Sequence, residues 1–552
     1  MSIEILGDSH QSETTRLQLG EYFTPQTLHI PEGDIPLTKE SIVPTFEGLL
    51  AQNQRVLLLG EPGSGKSTLL REMLHAYHTT VSNSYDTVVY LPLRAFEENN
   101  ESFIDFFQQK KTTQHGSEPE HVLWILDGMD EVKDPAHMAS LMEEITISRP
   151  EDHVMVAARP IVSEEGFFRE YIPVTIRPFD IEQILSFAQL YSRRVYGDNY
   201  IVPLPGTTKD GRPLTVPLFV ETVAKDAFDN NKSIKYLLSS PISLPYIIDI
   251  LADGYLFLPY RRSELFRDII DNCDEHRWAK KDPQSFVSVF GDPDRESYRD
   301  LYESDKEFLE SESQELSVRL RMIRFYKYIA IHMMTDFGQS VVTRDQMKEV
   351  LAGYFSELFP QDVMAEESAS SDFSLDRAEK FLQAADSGLP LIIKLEENGY
   401  GFAHRSLFEF LIAQDLLTRS GDPEEAVSFC KEHDLLFSLH WRETMRMFME
   451  LQNQAMYDKE LKEFFHLILL NSSEAPYESV LAAASFVTHD ICIGSFSPLI
   501  KEIYTALADA ISDLKDNSDT ESQIILYRLR KQEQRLFIMI ADKGLQKDIF
   551  RR

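Results

Sequence analysis

The chain has 552 residues, and its 55 Lys and Arg against 90 Asp and Glu give a formal net charge of −35. That balance excludes a bulk basic surface of the kind that grips nucleic acid or an anionic membrane, so no direct binding to either is expected. At 43% hydrophobic and 11% aromatic residues the chain can build several cores, about three to five domains of ordinary size, and wholesale disorder is excluded.

Three cysteines far apart in sequence, Cys273, Cys430 and Cys492, make neither a disulfide framework nor a thiolate metal site. The opening MSIEILGDSHQSE lacks a basic stretch followed by an apolar one. No window approaches the ~18 consecutive apolar residues of a membrane helix. A reduced, cytoplasmic protein is expected.

In chain order, residues 1–37 are polar, carry Pro25, Pro31 and Pro36, and read as a short extended lead-in. Residues 38–175 alternate between two patterns. Arg55–Leu59, Thr87–Leu93, His121–Asp127 and His153–Arg159 are short apolar runs separated by stretches of helical length. This predicts an α/β fold with a parallel sheet buried on both faces. From 176 to 280 the pattern is helical. Residues 291–315 hold ten acidic residues against three basic ones, so 281–315 reads as an acidic insertion. DVMAEESASSDFSLD, residues 362–376, reads as a second solvated loop. Residues 418–552 are helical throughout, and Ile525, Leu529, Leu536 and Ile540 share one helical face, a stripe expected to be core. No fixed-period repeat is evident.

Gly60-Glu61-Pro62-Gly63-Ser64-Gly65-Lys66-Ser67 matches G-x-x-x-x-G-K-[ST], between an apolar strand and a helical run, STLLREMLHAY, that begins with Ser67 and Thr68. Glycines let successive backbone N–H groups curl around phosphates, and the following helix adds its N-terminal dipole. Lys66 is expected to reach the β- and γ-phosphates, and the Ser67 hydroxyl to ligate Mg²⁺. A nucleoside di- or triphosphate is therefore the expected ligand.

Leu123 to Asp127 is an apolar strand ending in a carboxylate, followed by Gly128-Met129-Asp130-Glu131. With its strand beside the phosphate loop, Asp127 is expected to hold Mg²⁺ through water, with Gly128 leaving room. Asp130 and Glu131 are candidates to orient the attacking water. The next strand ends in Arg159-Pro160, where an arginine could sense the γ-phosphate or make a surface salt bridge.

These residues resemble the NACHT family of STAND (signal-transduction, numerous-domain) NTPases. LDGMDEV, Leu126 to Val132, resembles the family's acidic hallmark, and VAARP, Val156 to Pro160, its sensor strand, with Ala157-Ala158 where Thr-Ser is common. YLPLRAF, Tyr90 to Phe96, resembles the strand between the two nucleotide motifs. Downstream, Ile242–Ile270 resembles the helical subdomain in which a proline lies against adenine, with Leu244-Pro245 as the matching register. GYGFAHRSLFEFLIAQDL, Gly399 to Leu416, resembles the end of the winged-helix subdomain. The resemblance implies that His404 touches the β-phosphate of ADP; as a lone residue it would read as core histidine.

What the resemblance implies is an AAA+/STAND-like P-loop NTPase domain at 38–175, a helical subdomain at 176–280, a winged-helix subdomain at 316–417, and a sensing region at 418–552. It further implies ATP/ADP with Mg²⁺, slow hydrolysis that resets a switch, self-association on activation, and a role in bacterial antiphage defence. A phage component is one candidate trigger. The rivals are a constantly turning-over P-loop ATPase and a STAND-type transcriptional regulator. No LSGGQ-like signature points to a transporter ATPase, and Asn231-Lys232-Ser233-Ile234 fails the last position of the GTPase motif.

Overall fold

The computed structural model describes residues 2–5, 24–79, 84–93, 121–132, 134–163, 166–197, 201–202, 215–230, 232–252, 258, 262–273, 282–290, 314–358, 367–387, 390–395, 399–454, 458–470, 476–487, 496–517 and 519–542. The acidic stretch 291–313 and Arg94 to Phe96 lie outside these. The chain divides into two compact units, Met1–Arg262 with Asp516–Lys531, and Ser263–Lys515 with Gln532–Arg552.

The first unit is built on an eight-stranded sheet. Its strands are β1 (Ser2–Ile5), β2 (Thr27–Ile30), β3 (Gly33–Pro36), β4 (Arg55–Leu59), β5 (Thr87–Pro92), β6 (Val122–Asp127), β7 (His153–Ala158) and β8 (Ile172–Ile176), in the order β1-β5-β6-β7-β4-β8-β2-β3. The six strands from β1 to β8 in that order run parallel, and the β2–β3 hairpin adds antiparallel at the β8 edge. The central strands β5 and β6 are buried at every position. That is why they read as continuous apolar runs, as strands covered on both faces do.

Alternation along the strands sorts the side chains into two faces. One face, with Val56 and Leu58, Val88 and Tyr90, Leu123 and Ile125, Met155 and Ala157, and Val174, packs against helices α1 (Ile42–Asn53) and α2 (Lys66–Thr79) through Phe46, Leu50, Leu69, Leu70, Met73 and Tyr77. Each fully buried aliphatic side chain there stabilises the fold by roughly 1.5–3 kcal/mol.

Beyond the sheet, α3 (Pro135–Ser148) starts at the Asp134 cap with proline in its first turn, the usual chemistry of a helix start. Helix α4 (Ile181–Val195) opens on a full capping box: the Asp180 carboxylate accepts from Gln183 N–H, and the Gln183 amide oxygen accepts from Asp180 N–H. Helices α5 (Val216–Asn230), α6 (Lys232–Leu238) and α7 (Ser243–Ala252) pack with α4 into the helical region expected after the sheet. Residues 516–531 return to this unit, where the Arg169 guanidinium lies 4.1 Å from the centre of the Tyr527 ring.

The second unit is mainly helical: α8 (Arg262–Cys273), α9 (Pro283–Phe290), α10 (Gln314–Phe337), α11 (Arg344–Leu358), α12 (Glu367–Asp386) and α13 (Arg405–Arg419). The last four of these pack on a three-stranded antiparallel sheet, β9 (Val341–Thr343), β10 (Ile392–Lys394) and β11 (Gly399–Phe402), in the order β10-β11-β9. Phe290, Phe325, Phe355 and Phe381 form its aromatic core. Helix α12 begins inside the stretch read as a solvated loop, because its later turns bury Ala378, Phe381 and Leu382.

The region after 418 is helical as expected, through α14 (Pro423–Glu432), α15 (Arg442–Gln454), α16 (Asp458–Leu470), α17 (Pro476–Phe486), α18 (Ser497–Leu514) and α19 (Thr520–Asp542). Leu529, Leu536 and Ile540 are fully buried and Ile525 partly so. No helix among the described residues is long and apolar enough to cross a membrane.

Candidate functional site

The phosphate loop lies where the sequence places it, between the tip of β4 and the first turn of α2. Lys66 opens α2 and folds back, its Nζ donating to the carbonyls of Gly60 at 2.7 Å and Glu61 at 3.3 Å. Burial lowers its pKa below the usual lysine value, and Asp130, Asp127 and Glu61 pull it the other way. Two glycines are required by geometry. Gly63 (φ 76°) and Gly65 (φ 91°) hold left-handed backbone, and a Cβ on Gly63 would run into the Ile242 side chain.

Asp127 is at the tip of β6. It accepts a hydrogen bond from Tyr90 Oη at 2.9 Å and one from the Ser67 hydroxyl. Burial raises its pKa above the usual carboxylate range, while Ser67 and Tyr90 bring it down. Tyr90 was not among the sequence candidates. The register explains its place: Tyr90 pairs with Ile125, so Asp127 is the diagonal neighbour on the same face of the sheet. Ser67 and Asp127 supply hard oxygens of the kind that hold a small divalent cation. Among the described residues no three His, Cys, Asp or Glu side chains form a metal cage.

One expectation is corrected by the topology. The carboxylate strand does not lie beside the phosphate-loop strand; β7, the strand that Arg159 follows, separates them. Leu58 and Asp127 both pair with Ala157, and the N–H groups of Gly60 and Gly128 donate to Ala158 and Ala157 at 3.2 and 3.1 Å. Both loops therefore begin beside the tip of β7, to which each is hydrogen-bonded, and Arg159 is the next residue after that strand. Its side chain is no surface group. It is 8% exposed and its Nε lies 2.8 Å from Asp130 Oδ2, while Asp130 Oδ1 accepts the Arg159 main-chain N–H at 2.9 Å. Met129–Glu131 form a single 3₁₀ turn, with the Glu131 carboxyl folded back over Gly128. Lys66, Asp127, Asp130 and Arg159 thus form one electrostatic cluster.

Pro245 is half-buried in the first turn of α7. The turn just before it is what meets the loop: Ile242 packs on Gly63, and Pro241 Cγ is 3.9 Å from where a Gly65 Cβ would stand. A second neighbour of the loop, Gln26, was also missed in the sequence, because nothing marks a single glutamine in a proline-flanked segment. His404 belongs to the second unit, where it caps α13, its Nδ1 accepting the Ser406 N–H at 3.0 Å. A neutral ring accepting at Nδ1 carries its proton on Nε2.

Residues 54–193 match the family model described as NACHT domain. No curated protein matches the chain. The chain is similar to solved structures of a Walker-type ATPase of Pyrococcus abyssi, with 13% identity over 68% of this chain and 95% of that one and a TM-score of 0.26. It is also similar to the Aeropyrum pernix Orc1 protein in complex with DNA, with 12% identity over 70% and 97% and a TM-score of 0.29. A Thermotoga maritima RuvB variant gives 10% identity over 67% and 93% and a TM-score of 0.23. The phosphate-loop geometry and the family match agree on a nucleotide-dependent NTPase, a fold that usually works with a divalent metal.

Proposed function

We propose that this NACHT-domain P-loop NTPase is a molecular switch, at rest with ADP and activated by exchange for ATP. The observation that carries the reading is the buried Asp130–Arg159 pair. It joins the turn after the metal-binding strand to the strand that would read the γ-phosphate. A third phosphate competes with Asp130 for the guanidinium, so the pair is a two-state element whose balance the nucleotide sets.

The chain's own residues divide the work. Backbone N–H groups from Gly60 to Ser67 and Thr68 would bind the phosphates, Lys66 would neutralise them, and Pro245 would lie against adenine. Ser67 and Asp127 would hold Mg²⁺, whose chemistry is to neutralise charge building between the β- and γ-phosphates. Asp130 would answer to Arg159, and Glu131, folded over Gly128 beside the metal position, would orient the attacking water. Hydrolysis on this reading is slow and resets the switch. The winged-helix subdomain at 316–417 would close on the nucleotide through the Nε2–H of His404. Self-assembly on activation, the 418–552 region as sensor, and bacterial antiphage defence complete the proposal as what the NACHT resemblance implies.

The test is mass photometry of the purified chain with ADP, ATP and a non-hydrolysable ATP analogue, beside a steady-state turnover assay. Assembly with the analogue and not with ADP is expected. Many turnovers per second without assembly would favour the constantly working ATPase instead.

A further inference from the structure

Gln26 lies outside the segment that matches the NACHT model, yet it touches the phosphate loop. Its Nε2 donates to the Ser64 carbonyl at 2.7 Å, and the same nitrogen is 2.5 Å from where a Cβ on Gly65 would stand. The side chain is 4% exposed. Its other amide atom, Oε1, is buried with no hydrogen-bond partner among the described residues. The amide cannot be turned round to suit that oxygen, since oxygen would then face the Ser64 carbonyl oxygen.

Gln26 is itself held firmly. Its carbonyl accepts the Leu37 N–H at 2.8 Å, extending the β2–β3 ladder by one rung. On its other flank the Gln183 Nε2 donates to the Pro25 carbonyl at 2.8 Å. Gln183 is the residue whose Oε1 closes the capping box of α4. A continuous set of hydrogen bonds thus runs from the start of α4, through Pro25 and Gln26, to the carbonyl of Ser64.

A trans peptide unit is planar, and its C=O and N–H point in opposite directions. A donor that fixes the Ser64 carbonyl therefore also fixes the Gly65 N–H, turning it away from Gln26. We propose that Gln26 is a positioning residue of the nucleotide site: it holds the Ser64–Gly65 peptide so that the Gly65 N–H faces the bound phosphates. A buried acceptor without a partner is unfavourable to the fold, so glutamine here is a poor choice for stability alone. An apolar side chain of the same length would serve packing better and could not orient the peptide. The inference rests on nucleotide binding at this loop and on nothing about switching.

The test uses the full chain, with ADP and ATP titrated by calorimetry and melting measured without nucleotide. Gln26→Leu and Gln26→Met keep the bulk and remove the donor. They are expected to weaken ADP and ATP binding about fivefold to tenfold while leaving the nucleotide-free melting temperature unchanged or raised. Gln26→Glu, which sets a carboxylate against the Ser64 carbonyl, is expected to weaken binding further. Variants that melt lower but bind ADP within twofold of wild type would overturn the proposal and leave Gln26 a packing residue. If the wild-type chain binds no nucleotide, the function reading above fails and this inference goes with it. Wild-type binding with indifferent Gln26 variants sinks the inference alone.

Discussion

Asp130 holds Arg159 twice, taking its main-chain N–H on one carboxylate oxygen and its guanidinium on the other, at 2.9 and 2.8 Å. The arrangement exists because β7 lies between β4 and β6, so the residue after β7 emerges between the phosphate loop and the Asp127 turn. Motif spacing treats Asp130 and Glu131 as interchangeable candidates for one task. Their contacts differ: Asp130 pairs with Arg159, whereas Glu131 folds over Gly128.

The two carboxylates should therefore separate by mutation. Asp130→Asn removes the carboxylate charge paired with the buried Arg159 guanidinium and is expected to destabilise the first unit by roughly 3–5 kcal/mol, the usual effect of removing one member of a buried pair. Glu131→Gln is expected to leave melting and nucleotide affinity nearly unchanged while slowing hydrolysis on the order of a hundredfold or more. Thermal melts and single-turnover hydrolysis measure both. Equal melting temperatures for the two variants would remove the distinction.

Lys66→Ala deletes an ammonium that burial already disfavours in its charged form. Its loss should not lower the melting temperature of the nucleotide-free chain, yet binding of ADP should weaken about tenfold to a hundredfold as a charge-assisted contact disappears. Cellular function should vanish. A stably expressed Lys66→Ala chain that remains active in cells would count decisively against the phosphate loop as the working site.

For His404, capping and phosphate contact can be told apart. His404→Ala loses the bond to the Ser406 N–H and is expected to destabilise the chain by about 1 kcal/mol. His404→Asn replaces the imidazole with one of the best helix caps and should restore that stability. If the ring also holds the resting state through Nε2–H, both variants should assemble without a trigger, and Lys66→Ala in the same chain should suppress this. Mass photometry gives the answer. Assembly by the alanine variant alone would mean that a weakened helix start is the cause.

Cys430 is fully buried in α14, and burial pushes its thiol well above the usual cysteine range. A raised pKa keeps the thiol protonated, and the thiolate is the reactive form. In a Cys273→Ser, Cys492→Ser chain, native maleimide labelling should stay negligible from pH 7 to pH 9, whereas the unfolded chain should label faster as pH rises through about 8.5. Rapid native labelling at pH 8 would show that α14 opens.

Much of the candidate site was legible because its pattern is local. Gly60 to Ser67 must be contiguous to curl around phosphate, and each of the four central strands is a buried run that announces itself. Strand order was not legible. It depends on which runs pair, and that placed Asp127 two strands from the phosphate loop instead of one. The hairpin of β2 and β3 escaped because its residues are half-exposed, short and interrupted by proline. Strand β8 escaped because Ile172–Ile176 straddles the point where the helical pattern begins. Tyr90 and Gln26 have no local signature at all; each matters only through a partner 37 or 38 positions away.

The hairpin also decides what becomes of the sheet's margin. Strand β8 gives one side to β4 and the other to β2. A chain trimmed to begin at residue 38, where composition alone would start the nucleotide domain, strips β8 of its outer neighbour. The bared row of N–H and C=O groups is then a template for another chain. Such a fragment should cluster in solution whatever nucleotide is added, with its own cut edge as the adhesive. Oligomers seen with trimmed protein would therefore report the trimming, and only the intact amino-terminal hairpin allows assembly to be read as a response.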